Sequence, residues 1–357
     1  MSALANAKTV LTGVKPTGAQ HIGNYIGAIR PALRLAQEHG RSYLFIADYH
    51  ALNAVHDAKV LREDSYQVAA CWLALGLNPE KTVLYRQSDI PEIPELVTLL
   101  CAVTPKGLMD RSHAYKASVD KNVAEGKDAD ADVNMGLYTY PILMAADILV
   151  AQTDIVPVGK DQVQHIEFTR DMAGYFNREF KTNVFKLPNY QLESGATGAL
   201  LPGVDGRKMS KSYGNHIPIF IDSAARRKLV MKIVTDSKKP EEAKNPDENI
   251  IFQLYSHFAT PDETMAMRDA FTKGGMGYGD AKQKLYDVLE RSFEEPTKIY
   301  NDYMANRKKL DDILDAGADR ARKIARETLS RAREAVGLNG LPDVTAVVGA
   351  GQMQKKA

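Results

Sequence analysis

Hydrophobic and polar positions group into short strand-like runs and longer helix-like runs that alternate along the first two thirds of the chain. Runs rich in β-branched and aromatic residues predict strands at 8–14, 42–47, 81–85 and 154–158. Apolar residues at helical spacing predict helices at 24–38, 59–75, 91–103, 138–151 and 162–177. Gly40 and Gly76 are the predicted stops of the first two helices. This alternation predicts an α/β fold with a doubly wound parallel sheet, whose ligands lie beyond the carboxyl ends of the strands.

The last third of the chain has little strand signal. From residue 224 onward, apolar residues recur at helical spacing, which predicts a C-terminal all-helical domain. We therefore divide the chain into an α/β domain with a helical insertion, a helical domain and a flexible tail, at 1–223 (insertion about 59–135), 224–345 and 346–357. The polar stretch 117–132 is expected to be a mobile loop within the insertion.

Basic side chains crowd one segment of this last third. They are Arg320, Arg322, Lys323, Arg326, Arg331 and Arg333. A solvated helix face and an RNA-facing surface explain such a segment equally well, and the sequence leaves both open.

Composition narrows the classes of function. The 357 residues are 44% hydrophobic and 25% charged with a formal net charge of +1, so a bound polyanion would need a local basic surface. Two cysteines, Cys71 and Cys101, are too few for a zinc or iron–sulfur site built from four cysteines, and reduced thiols are expected. No apolar stretch approaches the roughly 20 residues of a membrane span, and the N-terminus lacks the segments of a signal peptide. A cytoplasmic protein is expected.

A glycine-containing turn is predicted where the first strand ends and the first helix begins. The segment 16–24 places Gly18 and Gly23 where backbone N–H groups can approach phosphate oxygens, and the helix N-terminus favours an anion. His21 and Asn24 add side-chain donors. The Gly-Lys-Ser/Thr ending of a Walker A loop is absent, and an ordinary tight turn with a helix cap is the competing interpretation.

A second motif, Lys208-Met209-Ser210-Lys211-Ser212, lies far downstream. Its two ammonium groups and two hydroxyls suit a triphosphate that is held and then loses pyrophosphate. Flanking glycines at 203, 206 and 214 suggest that the loop closes over a bound nucleotide. Alone, the motif could be an exposed charged loop. Together with the first, it predicts a nucleoside triphosphate site.

Two acidic residues are candidates for ligand recognition. Asp161 follows Gly159 and opens a predicted helix, so it can accept from a ribose hydroxyl or cap the helix. Asp147 lies in the otherwise apolar run 142–150, where an ionised carboxylate is costly without a donor. A ligand with one N–H or O–H on a flat apolar body would supply that donor. A buried pair with an Arg or Lys is the alternative.

These motifs resemble those of the class I aminoacyl-tRNA synthetases, and within that class those of the bacterial tryptophanyl-tRNA synthetases. Residues 16–24 are similar to the HIGH-type signature of the family, and residues 208–212 are identical to its KMSKS signature. The segments 140–149, 156–162 and 165–171 also match the tryptophan enzymes. The Met-Ala-Ala-Asp run within the first of these segments is not usual in the tyrosine enzymes. The resemblance extends over nearly the whole chain.

The resemblance implies an ATP-dependent ligase that joins L-tryptophan to its tRNA through a tryptophanyl-adenylate. It implies a Rossmann-like catalytic domain at 1–223 and a homodimer whose C-terminal helical domain reads the anticodon. Mg²⁺ would be carried on ATP, and no protein-bound zinc or iron–sulfur cluster is implied. The catalytic residues would be His21, Lys208 and Lys211, and the tryptophan ligands Asp147, Met144 and Gln162. The implied ATP-binding residues are Lys15, Pro16, Thr17, Gly23, Asn24, Gly159, Lys160, Asp161, Leu200, Lys208, Met209, Ser210, Lys211 and Ser212. Leu200 or Leu201 would pack on the adenine.

Two positions depart from the pattern of the family. Leu11 stands where many members have an aromatic residue, and Lys15 stands where many have glutamine. The first leaves the stacking of the indole unspecified, and the second adds positive charge near the phosphates, but neither removes a group that the chemistry needs. Two other functions stay open: a tyrosine-specific ligase, because Asp147 could accept a phenolic O–H, and a nucleotidyltransferase of the same fold that uses no tRNA.

Overall fold

A computed structural model describes residues 8–38, 41–192 and 201–341. Within these residues the strands are β1 (Thr9–Val14), β2 (Arg41–Ile46), β3 (Thr82–Arg86), β4 (Ile155–Val158) and β5 (Asn189–Leu192). They form a five-stranded parallel sheet in the order β3-β2-β1-β4-β5. The predicted α/β class and the parallel, doubly wound sheet are confirmed.

Helices flank this sheet and follow it. Before residue 223 they are α1 (Ile22–Asn24), α2 (Arg30–Glu38), α3 (Asp48–Ala51), α4 (Ala58–Ala74), α5 (Glu92–Cys101), α6 (Lys106–Met109), α7 (His113–Ala124), α8 (Met135–Val150) and α9 (Val163–Glu179). A π-helical turn (Tyr25–Ile29) joins α1 to α2, and 3₁₀ turns lie at Gln87–Asp89, Lys160–Gln162, Lys211–Tyr213 and Pro246–Glu248. The later helices are α10 (Ser223–Met231), α11 (Ile250–Tyr255), α12 (Pro261–Lys273), α13 (Tyr278–Ala305) and α14 (Arg307–Ala335).

The stretch 117–132 is partly helical. The stretch 117–132 was expected to be a loop, but α7 extends through its first part, to Ala124, so that expectation is wrong there. The side chain of Asn122 is buried and donates to the carbonyls of Ala129 (3.0 Å) and Ala131 (2.5 Å), which fixes the turn that follows the helix. The predicted stop at Gly40 lies outside the described residues.

The sheet separates two hydrophobic clusters because successive side chains of a strand point to opposite faces. Tyr43 and Phe45 of β2 pack with α5, α8 and α9, whereas Leu44 and Ile46 pack on the other face with α4 and the helices that follow residue 223. Helices after residue 223 therefore share a core with the first half of the sheet. The residues before and after position 224 pack in one hydrophobic cluster. The predicted domain boundary at residue 224 therefore stays a prediction.

The last helix, α14, crosses from one cluster to the other along the edge strand β3. Leu310 and Leu314 pack with α4 and α13, while Ala325 and Leu329 pack on the opposite cluster. Gly317 lies at the crossing, where an added Cβ would be 1.8 Å from the carbonyl oxygen of Leu84. The helix can lie this close to the strand only because residue 317 has no side chain.

The arginine-rich segment belongs to this helix, and its arginine side chains bind residues that lie before residue 223. Arg320 donates to the carbonyls of Pro79 (2.6 Å) and Thr82 (3.0 Å). Arg322 pairs with Glu92, a carboxylate that is 3% exposed, at 3.1 Å. Further bonds join Arg326 to Glu92, Arg331 to the carbonyl of Asn183 and Arg333 to Glu95. These arginines attach α14 to α5, to β3 and the loop before it, and to the loop after α9, a role that neither of the two sequence interpretations included. Lys323 is exposed.

Within the described ranges, none of the helices combines the length and the apolar composition that crossing a bilayer requires.

We predict that Gly317→Ala lowers the free energy of unfolding by about 3 kcal/mol, because the new methyl group must displace the backbone of β3. Gly174→Ala is the matched control: Gly174 lies inside α9 with nothing within 4 Å of an added Cβ. The control should be neutral or more stable by up to about 1 kcal/mol. Urea unfolding of the two variants measures the difference, and equal stabilities would contradict the close approach of α14 to β3.

Candidate active site

The order in which strands are added to the sheet reverses at its centre. Strands β2 and β3 lie on one side of β1, and β4 and β5 lie on the other side, so the topological switch point lies between β1 and β4. Ligands of doubly wound sheets bind in the crevice at the carboxyl ends of the strands at this point. The first motif follows β1 and the segment 159–162 follows β4, so both predicted nucleotide segments begin at this crevice.

The first motif forms a turn that ends in a reciprocal helix cap. Gly18 has a φ of +78°, in the left-handed region that glycine adopts without strain. The backbone N–H of Asn24 donates to Nδ1 of His21 (3.3 Å), and the backbone N–H of His21 donates to the side-chain oxygen of Asn24 (3.1 Å). His21 therefore both caps α1 and lies at the crevice, so the cap and the ligand interpretations are compatible.

His21 is a neutral donor. Burial, with the nearby charges of His216 and Lys211, lowers the pKa of His21 to about 4. Because Nδ1 accepts a hydrogen bond, the proton of the neutral ring is on Nε2. The side chain can thus donate one hydrogen bond from Nε2 without carrying a charge of its own.

Backbone pairing joins the first motif to residues 217–219, the segment that follows the second motif. The N–H of Ile22 donates to the carbonyl of Ile217 (3.0 Å), and the N–H of Ile219 donates to the carbonyl of Gln20 (3.0 Å). The ring centroids of His21 and His216 are 5.7 Å apart as a result. Two segments separated by almost two hundred positions of the chain therefore form one wall.

Side chains of the two motifs also meet. The ammonium group of Lys211 donates to the carbonyl of Thr17 at 2.6 Å. An added Cβ at Gly23 would lie 2.9 Å from Nδ1 of His21 and 3.4 Å from the sulfur of Met209. A side chain at residue 23 would therefore collide with the His21 ring that caps α1, whereas Met209 of the second motif lies at ordinary contact distance. The Lys208 side chain is exposed.

The second motif is organised by Asn215, which the sequence analysis missed. Its side-chain oxygen accepts from the N–H of Ser210 (2.8 Å), and its amide donates to Asp205 (2.7 Å) and to the carbonyl of Lys208 (3.0 Å). Its backbone carbonyl is so close to residue 203 that a Cβ there would be 2.6 Å away. Because residue 203 has no side chain, the backbone of Asn215 can pack directly against it. The sequence feature that could have pointed to Asn215 is its position directly after Gly214, which is in the left-handed conformation.

The segment after β4 forms the opposite wall. Gly159 to Gln162 make a 3₁₀ turn that opens α9, and an added Cβ at Gly159 would lie 2.6 Å from the carboxylate of Asp161. Neither this turn nor α9 takes a side-chain cap at its N-terminus, which removes the capping interpretation of Asp161. Its exposed carboxylate accepts from the amide of Gln162 at 3.2 Å. Leu200 lies outside the described residues.

Asp147 is buried, with 1% of its surface exposed, and the protein itself supplies donors to it. His50 Nε2 lies 2.9 Å from Oδ2, and the amide of Gln87 lies 2.8 Å from Oδ1 and 3.0 Å from Oδ2. The expectation that a ligand alone satisfies this carboxylate is wrong, and so is the alternative of an Arg or Lys partner. Burial raises the pKa of Asp147, and the bonds from His50 and Gln87 partly offset that effect.

His50 and Gln87 follow the carboxyl ends of β2 and β3, so the sheet brings them to Asp147. A carboxylate offers about four lone-pair positions, and the protein contacts use three of them. One position is left for a further donor. Asp147 thus combines a fixed orientation with the capacity for one more hydrogen bond.

A face of α8 extends from Asp147 toward the nucleotide walls. Met144 lies one turn before Asp147, and Tyr140 one turn before Met144, so the three share a helix face. The Tyr140 hydroxyl bonds to Nε2 of His165 on α9 at 2.8 Å. His165 is close enough to Asp161 and Lys15 for their charges to act on its pKa, which burial lowers to about 4. The apolar face of α8 and the nucleotide walls therefore adjoin at His165.

Comparisons with known proteins match almost the whole chain to one family. Residues 5–294 match the family model described as tRNA synthetases class I (W and Y). A tryptophan–tRNA ligase of Pseudomonas putida is 49% identical over 98% of this chain and 77% of its own length. One from Neisseria meningitidis is 49% identical over 94% of this chain and 99% of its own length. The crystal structure of the tryptophanyl-tRNA synthetase of Campylobacter jejuni, complexed with ADP and tryptophan, has a TM-score of 0.82 and 41% identity, covering 92% of this chain and all of the other.

Buried neutral histidines predict that the protein loses stability in mild acid. His21 and His165 have pKa values of about 4 in the folded chain, against about 6.5 when unfolded. Between these values the unfolded chain binds more protons, so the free energy of unfolding falls as the pH falls through that window. Urea unfolding at about pH 7 and about pH 5 should show the loss, and His165→Gln should make it smaller. An equal loss in the variant would contradict the buried neutral state of His165.

Proposed function

We infer the reaction from one premise: the chain belongs to the class I tRNA synthetases for tryptophan and tyrosine. It joins L-tryptophan to tRNA in two steps, through tryptophanyl-adenylate, and converts ATP to AMP and pyrophosphate. The observation that supports this conclusion in the structure is the backbone pairing of residues 20–22 with residues 217–219, which brings the loop of the second motif beside the first motif.

ATP lies in the crevice between these walls. Its phosphates approach the backbone of the first motif from Gly18 to Asn24, beside the neutral side chain of His21. Its ribose reaches the exposed carboxylate of Asp161, beside Gly159. Lys15 is exposed at the same end of β1 and adds positive charge. Met209, which is 5% exposed and abuts the first motif, fixes the second motif against the nucleotide.

The first chemical step needs positioning and charge stabilisation more than proton transfer. The tryptophan carboxylate is ionised at neutral pH and attacks the α-phosphorus, so that a P–O bond forms and pyrophosphate leaves with the electron pair of the broken bond. Lys208, Lys211 and the neutral His21 stabilise the charge that grows on the phosphate oxygens. Mg²⁺ arrives with ATP as part of the substrate.

Tryptophan lies along the face of α8, with Met144 and Gln162 beside it and the indole N–H directed at Asp147. Because His50 and Gln87 already orient the carboxylate, its free lone pair has a fixed direction. A site that hydrogen-bonds the indole N–H discriminates against side chains that lack such a donor, and smaller side chains lose burial as well.

The second step transfers the tryptophanyl group to the terminal ribose of tRNA, whose hydroxyl attacks the adenylate and releases AMP. We further propose that the protein is a cytoplasmic homodimer and that the helical part after residue 224 binds the anticodon. The arginines of α14 are not the residues we assign to tRNA, because they bind the catalytic part of the protein.

Amino-acid-dependent exchange of pyrophosphate into ATP tests the function directly. We expect exchange with tryptophan at least about 100-fold more efficient than with tyrosine, and charging of total tRNA with tryptophan. Exchange with tyrosine alone would identify a tyrosine ligase. Exchange without any charging of tRNA would favour a nucleotidyltransferase of the same fold.

Lys211→Ala is the matched catalytic variant for this assay. It should lower the exchange rate by about 100-fold or more, while tryptophan binding, measured by calorimetry, stays near that of the unmodified protein. Unchanged exchange would remove Lys211 from the catalytic step.

Asp147→Asn tests the indole contact. We predict that it weakens tryptophan binding by about 10- to 100-fold, because a charge-assisted hydrogen bond is lost. The KM for ATP at saturating tryptophan should change little. Asp171→Asn, which alters an exposed carboxylate on α9, is the control and should bind tryptophan normally. Unchanged tryptophan affinity in a folded Asp147→Asn protein would remove Asp147 from the pocket.

A further inference from the structure

Helix α4 places a carboxylate next to the catalytic lysine, outside both motifs. A Cβ added at Gly18 would lie 3.5 Å and 3.7 Å from the two carboxylate oxygens of Asp64, and 3.7 Å from the ammonium nitrogen of Lys211. The same ammonium group donates to the carbonyl of Thr17 at 2.6 Å. Asp64 and Lys211 therefore flank one point, directly above the left-handed turn of the first motif.

The two partners differ in how firmly they are held. Asp64 lies on a helix of 17 residues whose other end is buried through Trp72, which is 1% exposed. Its neighbour Glu63 pairs with Arg307 at 2.7 Å, which fastens the same turn of α4 to the start of α14. Lys211 lies on a loop between two left-handed glycines, at 206 and 214. When a ligand phosphate enters the space between the two side chains, Lys211 can therefore move toward it and Asp64 cannot.

The two charges also support each other. Burial raises the pKa of Asp64 and the charge of Lys211 lowers it, whereas burial lowers the pKa of Lys211 and the charge of Asp64 raises it. Each group thus offsets part of the cost of burying the other. Among the described residues, Glu63 and Tyr300 also interact with Asp64, and His21 and His216 also interact with Lys211.

We propose that Asp64 is a positioning residue that holds Lys211 against the first motif until ATP arrives and thereby weakens the binding of the triphosphate. The proposal rests on the function inferred above. To contact a phosphate, Lys211 must leave the carbonyl of Thr17 and the field of Asp64. The carboxylate also repels the incoming phosphate charge. Both effects act on ATP binding, and neither requires Asp64 to touch the reacting atoms.

Asp64→Asn removes the charge and keeps the size. In tryptophan-dependent pyrophosphate exchange at saturating tryptophan, we expect the KM for ATP to fall about three- to fivefold, with kcat within about twofold of the unmodified enzyme. Asp64→Ser should give the same fall in KM. Asp64→Glu, which restores the carboxylate, should return KM toward its original value.

Glu80→Gln is the matched control, because it removes one negative charge at an exposed position beyond the other end of α4. Its KM for ATP should not change. A KM that is unchanged or raised in both Asp64→Asn and Asp64→Ser, or an equal fall in Glu80→Gln, would overturn the proposal. If the unmodified enzyme shows no tryptophan-dependent exchange, the inferred function itself is wrong, so the two failures are distinguishable.

Discussion

The pairing of one short backbone segment with another holds the active site together. The hydrogen bonds from Ile22 to Ile217 and from Ile219 to Gln20 bring the loop with Lys211 to the turn with His21. Without them, the two motifs would be separate polar loops, each able to bind an anion weakly. With them, a helix N-terminus, a neutral imidazole and an ammonium group adjoin one crevice, at the point where the strand order of the sheet reverses.

Local pattern was enough to predict the elements that position the site. Strands β1 to β4 and helices α4, α5, α8 and α9 agree with the sequence to within about three residues at their ends. Edge strand β5 was missed because all of its residues are exposed, so it lacks the apolar alternation of a half-buried strand. The contacts of the α14 arginines with the first half of the chain were also missed, because the carbonyls and carboxylates that bind these arginines are distant in the sequence.

Asp147 shows where sequence reasoning about a site stops. Its burial in an apolar helix followed from its neighbours in the chain, but its partners did not. His50 and Gln87 reach it only because parallel strands end at the same edge of a sheet. The sequence shows polar residues, His50 among them, directly after β2. Placing the carboxyl ends of β2 and β3 side by side would have brought His50 and Gln87 together as candidate partners of a buried carboxylate. The carboxylate that we assign to indole recognition is therefore held in place by the protein before any ligand binds.

A crystal structure with tryptophan and an unreactive ATP analogue tests the central claim most directly. The account predicts phosphates bonded both to the backbone of the first motif and to Lys211, with the pairing of residues 20–22 and 217–219 intact. It also predicts the indole nitrogen within hydrogen-bond distance of Asp147, which keeps its bonds to His50 and Gln87. Phosphates bound to one motif alone, or an indole nitrogen directed away from Asp147, would contradict it.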